Sequence, residues 1–484
     1  MSLKQRIVSA VGWSVGIKLV IQIVTWAMTL IVIRLLTPDD YGLAAVSQIF
    51  ANVMMGFAAL GLGDALIQKE ETPKIIVARV FGMLLFSSAT LTIGLALAAY
   101  PIANWYNDQR LVALIQVSSL GFMFNGLSSL PRAYLTKALH IRPMFIMELS
   151  SGLVGAASVI TLAHLGYGVW ALMLGWLATN VVKLVGYVVL GARYYVWPRF
   201  GFQGIGGLFS FGIYRTLEYT VWMAYTSIDL LVISRWLGPS AVGIYAVALN
   251  FATMPLIKIA PILNSTAFPA FALVQGQPAE ARFYALKALR LMAVIAVPIF
   301  FGLSATAPEI VDLVFGPRWA DAKMVLTVLA PAVTFRAILI VIPNYLQGIG
   351  DSRAGFWCTM ASAAVFVPAF VIGCYWGTVG VAAAWLIAYP VVYVLNAAIA
   401  AKRGGLDFWA IMAVPLRPIA LGIIMFMAVA VVRNMLPPSM PVISVLAILV
   451  CTGAVTYCAG VMLLARDIAQ EMRQLLLREP SPAG

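Results

Sequence analysis

Charge is what this sequence has least of. Only 10% of its 484 residues are Asp, Glu, Lys or Arg, where soluble globular chains carry about 25%. That shortage excludes an ordinary water-soluble domain. Long polar connections are missing as well. The widest interval between apolar runs is 191–207, and the longest one expected outside the cell, 307–322, is too short to fold as a catalytic domain. There is no P-loop GxxxxGK[ST], so ATP hydrolysis through that motif is excluded. No HExxH zinc pattern and no DxD for a metal-bound nucleotide sugar occur, and the only histidines are His140 and His164. Cys358, Cys374, Cys451 and Cys458 all fall inside apolar runs without metal-ligand spacing, so they are expected to be small packing residues and no cofactor is expected. The start of the chain lacks a signal-peptide layout, because its apolar run continues to about Ile33.

Apolar residues fill the space that charge leaves. They make up 62% of the chain, and the mean hydropathy is +0.97. A membrane span needs about 20 consecutive apolar residues, and such runs follow one another almost end to end. The expected fold is an all-α polytopic membrane protein with fourteen spans. They lie at 8–34, 42–67, 80–103, 111–131, 144–165, 168–190, 208–236, 241–271, 286–307, 323–346, 355–376, 378–400, 413–433 and 441–465. The expected organisation is an N-lobe at 1–190, a cytoplasmic linker at 191–207, a C-lobe at 208–400, two further spans within 401–465 and a cytoplasmic tail at 466–484. With the first residue inside the cell, loops on that side hold 20 Lys and Arg and loops on the other side hold six. Such an asymmetry follows the positive-inside rule and puts both ends of the chain in the cytoplasm. It also accounts for the net charge of +13 without nucleic acid.

A repeat organises the chain. RLLTPDDYG at 34–42 and RWLGPSAVG at 235–243 align without a gap at an offset of 201 residues, matching Arg34 with Arg235, Leu36 with Leu237, Pro38 with Pro239 and Gly42 with Gly243. Each copy stands between the first and second spans of a half, where Pro38 and Gly42 are expected to make a tight turn. A second echo pairs LPRAYLTKALHIRPMF at Leu130 with VIPNYLQGIGDSRAGF at Val341. Two six-span repeats of the same orientation imply a pseudo-twofold along the membrane normal, with substrate between the lobes.

Charge inside a span costs at least about 2.5–3.5 kcal/mol, so each intramembrane charge calls for a reason. Lys18, Arg215, Lys258 and Arg336 lie deep in spans, with Glu218 three residues from Arg215 and Asp229 nearer the surface. A surplus of cations there suits an anionic substrate. The competing readings are an internal Arg215–Glu218 ion pair and snorkelling by Lys258 and Arg336. Lys183, late in the sixth span, reads as a snorkelling residue. Asp64 reads as a polar residue at a helix end.

The first span ending VIRLLTPDDYGLAAV and the second ending ALGLGDALIQKE resemble the polysaccharide-transporter branch of the multidrug/oligosaccharidyl-lipid/polysaccharide exporter superfamily, and within it the flippases of the Wzx type. The match is most specific over about 9–68, and the span count and repeat agree along the whole chain. The resemblance implies a transporter of two six-helix lobes plus two further helices in the bacterial inner membrane, and no enzyme. Its cargo would be undecaprenyl-diphosphate-linked oligosaccharide, moved to the periplasmic leaflet by alternating access for exopolysaccharide, capsule or O-antigen synthesis. A glycan polymerase and a chain-length regulator are implied as partners. Lys18, Arg215, Lys258 and Arg336 are then candidates for a cationic cavity, with Glu218 or Asp229 as an ion-coupling carboxylate. A drug or metabolite antiporter of the same superfamily is the alternative, and a membrane glycan polymerase or ligase is the alternative of another class.

Overall fold

The computed structural model describes residues 30–59, 73–138, 140–201, 206–273 and 277–464. Among them the regular structure is helical, with no strand. The long helices are α1 (Pro38–Ala59), α2 (Lys74–Tyr106), α3 (Arg110–Lys137), α4 (Ile141–His164), α5 (Val169–Leu190), α6 (Gly206–Trp236), α7 (Pro239–Leu273) and α8 (Pro278–Ala305). They continue with α9 (Ala322–Leu339), α10 (Val341–Gly348), α11 (Ser352–Gly373), α12 (Gly377–Gly404), α13 (Phe408–Ala413), α14 (Leu416–Met435) and α15 (Val442–Leu464). Each expected span from 42–67 onward overlaps one or two of these helices. The expected first span and the tail at 466–484 lie largely or wholly outside the described residues.

Ten segments among the described residues are long and apolar enough to cross a membrane, and one of them, Arg353–Gly404, contains both α11 and α12. The protein is a multi-pass membrane protein. Helices are the only open-ended way to cross lipid, because each peptide group finds its partner within the segment. Exposure follows the same logic. On α2, Phe86, Ile93 and Leu97 are more than 60% exposed while Leu84, Leu95 and Ala99 are buried. A bare apolar stripe of this kind faces acyl chains, and the buried stripe faces other helices.

The helix ends show why the chain breaks where it does. Thr37 accepts from the Asp40 N–H while the Asp40 carboxylate accepts from the Thr37 N–H (3.0 Å) and hydroxyl (2.6 Å), a reciprocal cap at the start of α1. Pro38 therefore opens the helix and Gly42 lies in its first turns, so these two residues do not form the tight turn that sequence reading expects. The bend falls at Leu36 and Thr37, and a proline at the first helical position loses no hydrogen bond. Asp351 and Asp407 cap α11 and α13 by accepting from Ala354 N and Trp409 N, each at 3.0 Å. α7 runs through Pro255 as continuous helix.

The chain forms two compact units, Met1–Gly243 and Ile244–Gly484. In the first, α1 packs on α2, α3, α5 and α6, and α4 pairs with α5. The stretch 192–201 straps the unit from outside. Arg199 N donates to the Ala78 carbonyl (2.9 Å), the Tyr195 hydroxyl donates to the Leu127 carbonyl (2.7 Å), and Tyr194 stacks on Tyr134 at 5.2 Å. Gly82 makes room for this strap, since a β-carbon there would fall on the Arg199 carbonyl. In the second unit, Phe366, Phe370, Trp385 and Tyr389 form an aromatic cluster between α11 and α12, and the Trp385 indole donates to the buried Tyr245 hydroxyl at 2.6 Å. The Arg433 guanidinium spans the Glu309 carboxylate with Nε to Oε1 at 2.6 Å and Nη2 to Oε2 at 2.8 Å, tying α14 to the turn after α8. Cys358 and Cys374 are buried as packing residues, whereas Cys451 and Cys458 are exposed on α15.

Candidate functional site

The first unit contains a polar cavity of about 280 Å³ enclosed by α1, α3, α4 and α5. Its largest contribution comes from α3, where Ser118, Gly121, Asn125, Ser128 and Arg132 follow one another at three- and four-residue steps. That spacing puts all five on one face of the helix. α1 supplies Gln48 and Asn52 at i and i+4, α5 supplies Trp176, Asn180, Lys183 and Tyr187, and α4 supplies Glu148.

Local packing shapes the space. Gly121 has no side chain, and a β-carbon built there would sit 2.9 Å from Cη2 of Trp176, so the glycine lets the indole lie against α3. Asn180 donates through Nδ2 to the Trp176 carbonyl at 2.8 Å, which orients its amide. Ser118 is 1% exposed, and its hydroxyl has no hydrogen-bond partner among the described residues. A hydroxyl left in that state stabilises nothing until a ligand or water meets it.

Charge collects at one end. At about 1.5 Å per residue, Arg132 lies roughly 8 Å before the end of α3, Lys183 roughly 10 Å before the end of α5, and Glu148 roughly 10 Å into α4. All three are therefore near the end of the unit where α3 turns into α4. Ser118 is roughly 28 Å along the helix axis from that end. Among the described residues the lining is polar amide and hydroxyl inside, with two cations and one anion at its end. Amides both donate and accept, so this lining matches a neutral polyhydroxylated ligand with room for one acidic group. A second hollow of about 600 Å³, against Gly373, Gly380 and Trp376 between α11 and α12, is almost wholly apolar and offers no such chemistry. Among the described residues no group of His, Cys, Asp and Glu could hold a metal ion.

The sequence candidates among the described residues fall elsewhere. Lys18 and Asp64 lie outside the described residues. Arg215 and Glu218 are on α6 of the first unit, one turn apart. Asp229 is fully buried further along α6, where its carboxylate accepts from Leu230 N at 2.8 Å. In the second unit, Lys258 is exposed on α7 and Arg336 is half-buried on α9. Among the described residues no ion pair links Lys258 or Arg336 to a carboxylate. Of the described cations that sequence reading weighs, Lys183 lines the polar cavity, although its position suggests mere snorkelling. Gln48, Asn52, Asn125 and Asn180 escape a search for charge because they are neutral. The signal that finds them is the helical period of polar residues inside apolar runs.

The family described as "Polysaccharide biosynthesis protein" matches this sequence over residues 31–324. The lipopolysaccharide biosynthesis protein WzxC of Escherichia coli is 25% identical over 389 residues, covering 80% of this chain and 79% of its own. The succinoglycan biosynthesis transport protein ExoT of Rhizobium meliloti is 27% identical over 380 residues, covering 78% and 76%. The solved structure of the lipid II flippase MurJ in an inward closed conformation superposes with a TM-score of 0.68 at 13% identity, covering 93% of this chain and 99% of that one. The fold is thus that of polytopic helical transporters.

Proposed function

This chain belongs to the polysaccharide biosynthesis protein family, and from that premise we propose that it is a lipid-linked oligosaccharide flippase and no enzyme. The cargo is an oligosaccharide repeat unit on undecaprenyl diphosphate, carried from the cytoplasmic to the periplasmic leaflet of the bacterial inner membrane by alternating access. The observation that carries this reading is the alignment with polysaccharide biosynthesis proteins over about four-fifths of the chain. The polar cavity within the first unit supports it, because an interior of amides and hydroxyls has no use in a membrane scaffold and suits sugar.

The remaining parts follow from the chemistry of the cargo. Lys18, Arg215, Lys258 and Arg336 supply positive charge along the path of the diphosphate, since a doubly charged group in a low-dielectric passage needs cations to offset its desolvation. Glu218 or Asp229 couples movement to an ion gradient by changing its charge during the cycle. Both ends of the chain are cytoplasmic, as the Lys and Arg asymmetry requires. A glycan polymerase and a chain-length regulator take the cargo on the periplasmic side.

The test is deletion in the native host followed by sided labelling of the lipid-linked repeat unit. Accumulation on the cytoplasmic face, relieved by the restored gene, is the expected result. Polymerised glycan still reaching the surface, in a strain with no second flippase, would overturn the reading.

A further inference from the structure

We propose that the polar cavity of the first unit is a glycan subsite that holds a single pyranose ring of the cargo. The inference rests on the flippase reading for the identity of the cargo and goes beyond it in assigning the ring to α1, α3 and α5 of one unit. Three observations carry it.

The first is composition. Gln48, Asn125 and Asn180 each bring a carboxamide to one enclosed space, and Glu148 brings a carboxylate. A sugar ring presents adjacent hydroxyls that donate and accept at once, and the carboxamide is the neutral side chain that answers both demands. A passage for inorganic cations would instead need several carboxylates, and among the described residues Glu148 is the one carboxylate in this lining. The second is the indole. Trp176 is seated against α3 by the missing side chain of Gly121 and offers an apolar face beside the amides. Sugars are amphipathic in the same sense, with C–H faces and hydroxyl edges, and aromatic rings take the faces. The third is Ser118, a residue of the lining whose buried hydroxyl has no hydrogen-bond partner among the described residues. A rotation of that side chain toward a ligand hydroxyl removes an existing penalty.

Size selects one ring. Drug-sized ligands occupy roughly 300–1,000 Å³, and a cavity of about 280 Å³ falls just under that range. A whole repeat unit does not fit, so the rest of the oligosaccharide stays outside while one residue is read. Specificity for the polymer made in a given host then resides partly in α3 and α5.

The experiment uses the full chain purified into lipid nanodiscs and free monosaccharides as probes: glucose, galactose, N-acetylglucosamine and glucuronic acid at millimolar concentration. Saturation-transfer NMR reads binding. At least one sugar is expected to receive saturation from the native protein. The affinity should fall at least about tenfold in Asn125→Leu and in Asn180→Leu, each of which removes both a donor and an acceptor. Asn125→Asp keeps the shape while it removes the donors and adds a negative charge, so loss of binding in that folded, near-isosteric variant separates recognition from misfolding, with thermal unfolding measured on every variant. No sugar signal on the native chain, or a signal unchanged in all three folded variants, overturns the subsite. Export is scored separately in cells. A chain that exports glycan normally with these variants defeats the subsite and leaves the flippase reading standing. Sugar binding that depends on Asn125 and Asn180 in a chain that never moves lipid-linked cargo supports the subsite and defeats that reading.

Discussion

Gly42 and Gly243 stand back to back in the structure. A β-carbon on Gly42 would land on the carbonyl of Pro239, and one on Gly243 would land on the carbonyl of Pro38. These are matched positions of the two repeats, 201 residues apart, and each glycine approaches the proline that opens the other's helix. Small residues let helix backbones come this close. Gly42→Ala and Gly243→Ala should each force backbone to move and destabilise the protein by about 1–3 kcal/mol. The measurement is thermal unfolding in detergent together with protein level in membranes, and unchanged behaviour of both variants would refute the close approach.

Gly82 has the same role for the strap at 192–201, with the Arg199 carbonyl in the place its side chain would take. Gly82→Ala should lift the strap, break the Arg199 N–H bond to Ala78 and uncover Phe81. Limited proteolysis reads this as faster cleavage after Arg193 and Arg199.

Glu309 and Arg433 make a two-pronged ion pair whose acid side chain is 11% exposed. Removing one partner leaves a largely buried charge, so Arg433→Ala should cost about 3–5 kcal/mol. The double change Arg433→Met with Glu309→Gln should recover much of that loss. A thermal-unfolding series across the cycle checks both statements, and Arg433→Ala without effect would show that water already screens the pair.

At the turn between α2 and α3, hydrogen bonds from the Arg110 guanidinium hold the Asp108 carboxyl below its ordinary value of 3.8. The folded value is depressed, so the stabilisation is present above the unfolded value and disappears as pH falls through the folded one. Asp108→Asn should therefore lower thermal stability slightly at neutral pH and have no effect in strong acid. The pair is solvent-exposed on the arginine side, so the difference should be small and shrink with salt.

Lys258→Ala and Arg336→Ala should each abolish export while the protein stays in the membrane. Export restored by Lys258→Arg would mark charge as the requirement. Unchanged export from both alanine variants would remove these residues from the cargo path.

Much of the fold was legible in the sequence, and the reason is the membrane. Lipid demands apolar side chains for the full length of each crossing, so helices such as α2, α8 and α12 announce themselves. Boundaries were less legible where capping decides them. Thr37 and Asp40 start α1 earlier than its hydropathy does, which converts Pro38 and Gly42 from turn residues into helix residues.

The site was harder to read, because charge is conspicuous in an apolar chain and neutral amides are not. Reading charge led to Arg215, Lys258 and Arg336, whereas Gln48, Asn125 and Asn180 passed as ordinary residues of apolar runs. By itself the sequence determined a helical membrane protein, its family and its internal repeat, since hydropathy, local motifs and self-similarity are written along the chain. Only the tertiary structure decided that polar faces of α1, α3, α4 and α5 turn toward one another and that Gly42 meets Gly243. Those facts depend on how helix faces are oriented in packing, and no one-dimensional period fixes which faces meet.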